Sequence, residues 1–574
     1  MTTTHIKKAI YLESFRRFCV QYDKLSELLF PHITKIPQDY ETMFPPRDVP
    51  AGAFVTRLGP SPTGFIHLGN LYGALADERL AHQSGGVFYL RIEDTDEKRK
   101  VEGAVETIIS SLKFFDVNFD EGASASGDIG NYGPYYQSSR ADIYQCFVKE
   151  MVKKGLAYPC FMTEDEINSV REKQETQKVD SGIYGEWAVC RNLSYDEVAS
   201  NINANKPYVM RLKSNGKPAS PEAQTISIID GIRGELVMPE NFFDVVILKA
   251  NGIPTYHFAH VVDDHFMRTT HVVRGAEWIP SLPTHVELFN MLGFEQPKYC
   301  HTAQLMKLDE NGNKRKLSKR EDPELSLDYY RKEGYHPLAI REYMLTILNS
   351  NFEEWRTENP DSSANDFKFT LEKMSISGAL FDLNKLNDIC KDVLLRISAK
   401  DIYLFIKKWA TEFRPELLSF FADEEYVLKI LDLGRTGEKP RKDFIRAAQI
   451  FEFINYFFDE YYNSTSSDKY PENVIAEDDV SKILSMYLET YNHGDDQEAW
   501  FEKIRGIAQT LNYALKPKDH KKNPGMYKGH VGDVSAIIRI ALTGRAQSPE
   551  IWEIQQILGD ERTRQRIKSK INNG

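Results

Sequence analysis

The stretch Ser61-Pro62-Thr63-Gly64 is a turn-forming loop that runs into His67, with Gly69 and Asn70 close behind. From His67 onward Leu68, Leu71, Tyr72, Leu75 and Leu80 recur at helical spacing, which sets His67 in the first turn of a helix. Backbone N–H groups and the dipole at such a start attract anions, and an imidazole there can donate to phosphate oxygens. About 250 residues downstream lies Lys316-Leu317-Ser318-Lys319-Arg320, after a polar run from Asp309 to Asn313 that reads as a mobile loop. Two lysines so spaced can close over a polyphosphate and neutralise charge as it develops during cleavage. Taken singly, a His at a helix start is more often a cap, and a basic loop more often faces solvent. Together they point to a triphosphate site.

A third group is acidic. Val87 to Ile92 reads as a strand whose alternation puts Tyr89, Arg91 and Glu93 on one face and Leu90, Ile92 and Asp94 on the other. Glu93, Asp94 and Asp96 then gather where open α/β sheets bind ligands and could hold a substrate ammonium, although a solvated acidic turn fits the same residues.

These groups need a scaffold. Phe54 to Leu58 is β-prone, and the order strand, Gly-bearing loop, helix ending at Gly85-Gly86, strand is a βαβ unit, which builds parallel sheets. Residues 134–242 are irregular and insertion-like. Phe243 to Leu248 and Pro254 to His257, joined by Asn251-Gly252, read as a hairpin, and Thr270 to Arg274 as a further strand. From about residue 325 helical patterns dominate, as in Val427 to Leu433, Phe444 to Phe458 and Ile551 to Leu558. The expected fold class is α/β: a split Rossmann-like nucleotide-binding catalytic domain with an inserted α+β domain, followed by all-α domains. The expected boundaries are a helical extension over 1–50, catalytic halves over 51–133 and 243–320, the insert over 134–242, and helical domains over 321–420 and 421–574.

Composition narrows the class. No stretch approaches the roughly 18 apolar residues of a membrane span, and the first residues lack the layout of a secretory signal, so a cytoplasmic protein is expected. Lys and Arg number 72 against 84 Asp and Glu, a net charge of −12, so any nucleic-acid contact must be local. Basic clusters occur at Lys314 to Arg320, Lys439 to Arg446, Lys516 to Lys528 and Arg562 to Lys570. The six cysteines form no C-x-x-C; Cys160 and Cys190 flank one polar segment but leave tetrahedral zinc short of ligands, so no zinc and no disulfide framework is expected.

"SPTGFIHLGN" followed by "KLSKR" resembles the two signatures of class I aminoacyl-tRNA synthetases. With "RIEDTD", "PTYHFAHVVDDH" and "HVVRGAEW", the chain is similar to the bacterial-type glutamyl-tRNA synthetase family from about residue 52 to 345, and more loosely over "ALTGRAQSPEIWEIQQILG". The resemblance implies ATP-dependent attachment of L-glutamate to tRNA(Glu): the substrate carboxylate attacks the ATP α-phosphorus, pyrophosphate leaves, and the glutamyl group passes to the 2′-hydroxyl of the terminal ribose. It also implies Mg²⁺ accompanying ATP, and bound tRNA for the first step. Glutamate would be contacted by Arg57, Ser61, Glu93, Tyr256, His260 and Arg274, with Trp278 beside them. ATP would be held by His67, Gly69, Asn70, Lys316, Ser318 and Lys319, of which His67, Lys316 and Lys319 are the catalytic candidates. The insert would hold the acceptor end, flanked by Asp96 and Arg99, while Arg435 and Arg441 are candidates for the last anticodon base.

The chemistry agrees with the resemblance, since two arginines offer guanidinium forks to two carboxylates and Glu93 offers a partner to the ammonium. The chain departs from the pattern at His260, where some relatives carry Asn, and at Leu317 in place of Met. The sister enzymes for glutamine would show P-E-P-N-G and D-D-T-N, where this chain has S-P-T-G and Glu93-Asp94-Thr95-Asp96; a non-catalytic tRNA-binding homologue would be expected to lose His67 or Lys319. A monomer with no membrane or DNA partner is expected.

Overall fold

The computed structural model describes residues 21–62, 66–96, 101–218, 224–437, 440–464, 468–476, 478–523 and 525–572. The chain forms two compact units: Met1–Leu327 with Arg341–Asp382, and Asp328–Ile340 with Leu383–Gly574. These units do not follow the boundaries expected near 320 and 420. Residues 341–382 pack with the first unit, and the apolar core of the second runs without a break from Leu394 to Ile567.

The first unit is built on parallel strands. β1 (Val55–Leu58) leads to α1 (Leu68–Gln83) and back to β2 (Val87–Leu90), which pairs in parallel with β1 and with β3 (Glu121–Gly122). Every residue of β1 is buried, as in a sheet covered on both faces. α1 is buried on more than one side and carries Asp77, Glu78 and Arg79 inside. Buried charges persist only when partnered. Glu78 accepts from Arg341 Nη2 at 2.8 Å and from Asn118 N at 2.8 Å, while Arg79 Nη2 donates to the carbonyls of Asn365 and Phe367.

The region expected as an insert holds β4 (Ala157–Cys160), β5 (Val209–Leu212) and the hairpin of β6 (Thr225–Asp230) and β7 (Gly234–Pro239). β8 (Val246–Leu248) pairs with β5, so the boundary expected at 242 falls between two strands of one sheet, β4-β5-β8. The second strand of the expected 243–257 hairpin does not form. Lys249 N donates to Ile253 O and Thr255 N to Ile247 O about an isolated bridge between Leu248 and Pro254, but no ladder follows, and Tyr256 opens α2 (Tyr256–Phe266). Phe258, Val262 and Phe266 recur four apart and are all buried, a helical period that the short strand-like window conceals.

β9 (His271–Gly275) then starts beside β1, where Thr270 N donates to Val55 O and Val55 N donates to Thr270 Oγ1. After α3 (Leu282–Leu292), β10 (Lys298–Thr302) pairs in parallel with β9. The three-stranded sheet β3-β2-β1 and the pair β9-β10 thus adjoin through Thr270 and Val55, and the chain leaves β1 on one side and resumes at β9 on the other. In such sheets the crevice beyond the strand C-termini at that reversal is where ligands bind. β11 (Leu305–Leu308) and β12 (Lys314–Lys316) form an antiparallel pair beyond β10, and β11 also pairs with β13 (Ala379–Leu380).

In the second unit the expected helical segments appear as Glu424–Asp432, Ala447–Ile454 and Ile551–Leu558, and no strand occurs among its described residues.

Candidate active site

A cavity of about 430 Å³ opens at the C-terminal ends of β1, β9 and β10. β1 delivers Arg57 and the turn Gly59, Pro60 and Ser61; α1 delivers His67, Gly69, Asn70, Tyr72 and Asp77; β2 leads to Glu93; β9 and the turn after it deliver Arg274, Glu277 and Trp278. Tyr256 from α2 and Lys316 from β12 complete the wall. An adjoining cavity of about 360 Å³ shares Pro60, Ser61, His67 and Asn70 with it and adds Lys319. The chain beyond the lysine loop returns to the helix start, since Ser326 bridges His67 and Leu327 N donates to Ile66 O. Segments 250 residues apart in sequence therefore meet at one nucleotide-sized space.

His67 is the N-cap of α1, with its backbone N donating to Asn70 Oδ1 at 3.1 Å. Burial, reinforced by Lys316 and Lys319, pushes its imidazole below the ordinary value, so the ring is neutral at pH 7 and donates through one N–H. A Cβ at Gly69 would stand 3.0 Å from two atoms of that ring, so glycine there leaves the imidazole its position. The lysine loop is tied down at Asp322, which accepts both Arg315 Nη atoms at 2.6 and 2.8 Å, Ser318 N at 2.7 Å and Lys307 Nζ at 3.2 Å. Arg315 foremost holds that carboxyl well below its ordinary value. The polar run read as a mobile loop is thus an anchored hairpin.

At the opposite end lie the arginines. Arg57 Nε is 3.3 Å from Asp264 Oδ1, and Arg91 Nη1 is 2.6 Å from the same oxygen, all three side chains being buried. Burial would raise the Asp264 carboxyl, but Arg57 and Arg91 outweigh it and hold it well below the usual range. Arg91 Nη2 also donates to Glu93 Oε1 at 3.1 Å. Burial nevertheless raises the Glu93 carboxyl, and a Cβ at Gly59 would come within 2.4 Å of it. Tyr256 packs on Trp278 with ring centroids 4.6 Å apart, and its hydroxyl accepts from Arg274 Nη1 at 3.4 Å.

Of the residues expected at the site, Arg57, Ser61, His67, Gly69, Asn70, Glu93, Tyr256, Arg274 and Lys316 line the larger cavity and Lys319 the adjoining one. His260 does not line either. It is fully buried behind the wall, with Nε2 3.1 Å from the Tyr299 hydroxyl and Nδ1 3.0 Å from Asp264 Oδ2. Burial drives its pKa to about 3, so it carries no charge with which to meet a carboxylate. Ser318 shapes the loop, its Oγ accepting from Arg320 N, and Asp96 lies outside both linings. Arg99, like Thr63 and Gly64, lies outside the described residues. Arg435 Nη2 donates to the carbonyls of Leu394, Leu395 and Ile397 at the end of the helix Leu383–Arg396. Arg441 pairs with Asp443 at 2.5 Å and lies over the Phe444 ring.

Sequence reasoning missed Tyr72, Asp77 and Glu277 as lining residues. Asp77 is fully buried with no hydrogen-bond partner on either oxygen among the described residues, and burial raises its carboxyl well above the ordinary value. A carboxylate inside the apolar stripe of α1 was the available signal, as was the place of Glu277 within "HVVRGAEW".

A family model described as "tRNA synthetases class I (E and Q), catalytic domain" matches residues 53–388, and one described as "Anticodon binding domain" matches residues 527–571. The chain is 62% identical over 551 residues to a glutamate–tRNA ligase of Acetivibrio thermocellus, covering 96% of this chain and 100% of the relative. It is 47% identical over 551 residues to one of Clostridium perfringens, with the same coverage. A crystal structure of a glutamate tRNA ligase from Elizabethkingia meningosepticum in complex with its amino acid superposes with a TM-score of 0.72 at 27% identity, covering 90% of this chain and 99% of that one. A chain so matched along its length, with the signature residues gathered at one crevice, belongs to the glutamate–tRNA ligase family of class I tRNA synthetases.

Proposed function

We propose that the protein joins L-glutamate to tRNA(Glu) through a glutamyl-adenylate, in the cytoplasm and as a monomer. The observation that carries this reading is the single crevice where His67 and the two lysines face one end and Arg57, Arg274 and Glu93 the other. At the arginine end, guanidinium groups meet the carboxylates of an acidic amino acid, and Glu93 meets its ammonium. At the other end neutral His67 donates to phosphate oxygens without adding charge, while Lys316 and Lys319 neutralise the charge that spreads over the α-phosphate as the substrate carboxylate attacks and pyrophosphate departs. No enzyme nucleophile is needed; alignment supplies the rest. Among the described residues no group of three or more His, Cys, Asp or Glu side chains could hold a metal. Mg²⁺ bound to the nucleotide phosphates would offset their charge.

The tRNA body would be met by the second unit, on which Lys516, Lys518, Lys521 and Lys522 are exposed. No helix among the described residues is long and apolar enough to cross a membrane.

ATP–pyrophosphate exchange, run with glutamate or glutamine and with or without tRNA(Glu), tests the proposal. Exchange supported by glutamate is expected; exchange with glutamine alone, or with neither, would overturn it. Lys319→Ala should keep the KM for glutamate and lose about 10²–10³ in rate. Near-normal turnover would remove Lys319 from the mechanism.

A further inference from the structure

Arg274 is braced from behind. Its Nε donates to His301 Nε2 at 3.0 Å. A guanidinium N–H can only donate, so this ring nitrogen is the bare one. The proton of the neutral imidazole then sits on Nδ1, which donates to Asp230 Oδ2 across 2.6 Å. Burial keeps His301 below the ordinary imidazole value, against the pull of Asp230, so the neutral form is the one present at pH 7.

Asp230 is itself held. Its Oδ1 accepts from Ile232 N and Arg233 N at 2.9 Å each, and its Oδ2 accepts from His301 N at 3.1 Å. It closes β6, and Gly231 N in the following turn donates to Tyr299 O at 2.7 Å, which fastens the β6–β7 turn to β10. Asp230, His301 and Arg274 are 3%, 0% and 8% exposed. The remaining contacts of the guanidinium are long: Nη1 is 3.4 Å from the Tyr256 hydroxyl and 3.4 Å from His285 Nδ1, and Nη2 is 3.5 Å from Trp278 O. Among the described contacts the bond to His301 is the shortest, and it engages Nε rather than either Nη.

We propose that Asp230 and His301 are positioning residues for amino-acid recognition: Asp230 fixes the His301 tautomer whose bare Nε2 holds Arg274 by its Nε, leaving both Nη atoms to grip a substrate carboxylate. The proposal rests on the reading of Arg274 as a glutamate fork. It makes the turn of the β6–β7 hairpin part of the glutamate site, although none of its residues lines the cavity.

The tautomer supplies the test. In Asp230→Asn the three backbone N–H groups that reach Oδ1, Ile232 N and Arg233 N at 2.9 Å and the bifurcated His301 N at 3.3 Å, keep the amide oxygen on their side and turn the amide N–H₂ toward Nδ1, which must then accept. The imidazole proton moves to Nε2 and points at the Arg274 N–H. In the exchange assay with tRNA present, the KM for glutamate is expected to rise about 10- to 100-fold with the KM for ATP unchanged. His301→Gln places an amide oxygen near the position of Nε2 and has no tautomer to lose, so Asp230→Asn combined with His301→Gln should bind glutamate better than Asp230→Asn alone. A parallel rise in the KM for ATP, or a double variant as weak as or weaker than the single one, overturns the proposal.

Should Asp230→Asn fail to fold, the single variants decide. His301→Asn is too short to reach Arg274 and should raise the KM for glutamate, while His301→Gln should stay near wild type; the reverse order overturns the relay. Arg274→Lys separates the two levels of the argument. A KM for glutamate unaffected by Arg274→Lys sinks the fork reading itself, whereas a raised KM there, with Asp230→Asn silent, sinks only the relay.

Discussion

Asp264 serves two buried guanidinium groups at once, and this frees Glu93 for a different task. Glu93 has Arg91 at its back, yet burial still raises its carboxyl above the ordinary value. A raised carboxyl takes up its proton earlier as pH falls, and the neutral acid holds an ammonium weakly. The KM for glutamate should therefore climb as pH falls through that raised value, from above the ordinary carboxylate range. Glu93→Gln should flatten that acid limb and raise the KM about 10- to 100-fold at neutral pH; a pH profile of exchange in the variant that matches wild type would exclude Glu93 from ammonium binding. Glu93 was legible from strand alternation because a period of two fixes which side chains share a face. His260 was not, because sequence adjacency to Tyr256 does not say which helical face meets the cavity and which meets Asp264. The Asp230–His301 pair was invisible for a simpler reason: its partners lie 71 residues apart, and nothing local marks either as buried.

Elements explain why the two signatures work as a pair. α1 presents its N-terminus to the crevice, and the lysine loop reaches the same place because Ser326 bridges His67. Asp322 is the clasp of that loop. Its charge is lost only well below the ordinary carboxylate range, so the anchoring is fully present above about pH 4 and weakens only as pH falls toward the depressed folded value. Asp322→Asn should slow adenylation about tenfold through a higher KM for ATP, while the KM for glutamate holds; equal effects on both substrates would mean that the loop shapes the whole crevice instead. The βαβ order was readable because hydrophobic period and glycine punctuation agree over that stretch. The misread hairpin at 254–257 shows the converse, since four residues of strand-like composition cannot reveal the roughly 3.6-residue period of a helix that runs over eleven, Tyr256–Phe266.

Across the molecule, the second unit shows how a basic cluster can be structural. Arg566 is buried, donating to the carbonyls of Tyr456 and Leu542 and pairing with Asp459 at 2.7 Å. Arg562 pairs with the same Asp459 at 3.0 Å, and Arg564 with Asp560 at 3.0 Å. Arg566→Ala would leave two carbonyls without donors and should lower the stability of the unit by about 2–4 kcal/mol, seen as a lower thermal midpoint; an unchanged midpoint would show that water replaces the side chain at no cost. Composition gave the helical character of this half but not the fate of its charges, because a run such as Arg562 to Lys570 reads alike whether it faces solvent or core. Chain division was the least legible feature, since the path enters the second unit at Asp328, returns to the first at Arg341 and leaves again at Leu383.

That double passage decides how the protein can be cut. A fragment stopped at 327 to isolate the adenylating half would strip Glu78 of Arg341, and Arg79 of the carbonyls it occupies in Asn365 and Phe367. A fragment extended to 382 would keep them but carry Tyr335 without Asn387, which accepts from its hydroxyl, or Arg446, which lies over its ring. No single scissile point yields an intact half, so truncation alone does not dissect this enzyme.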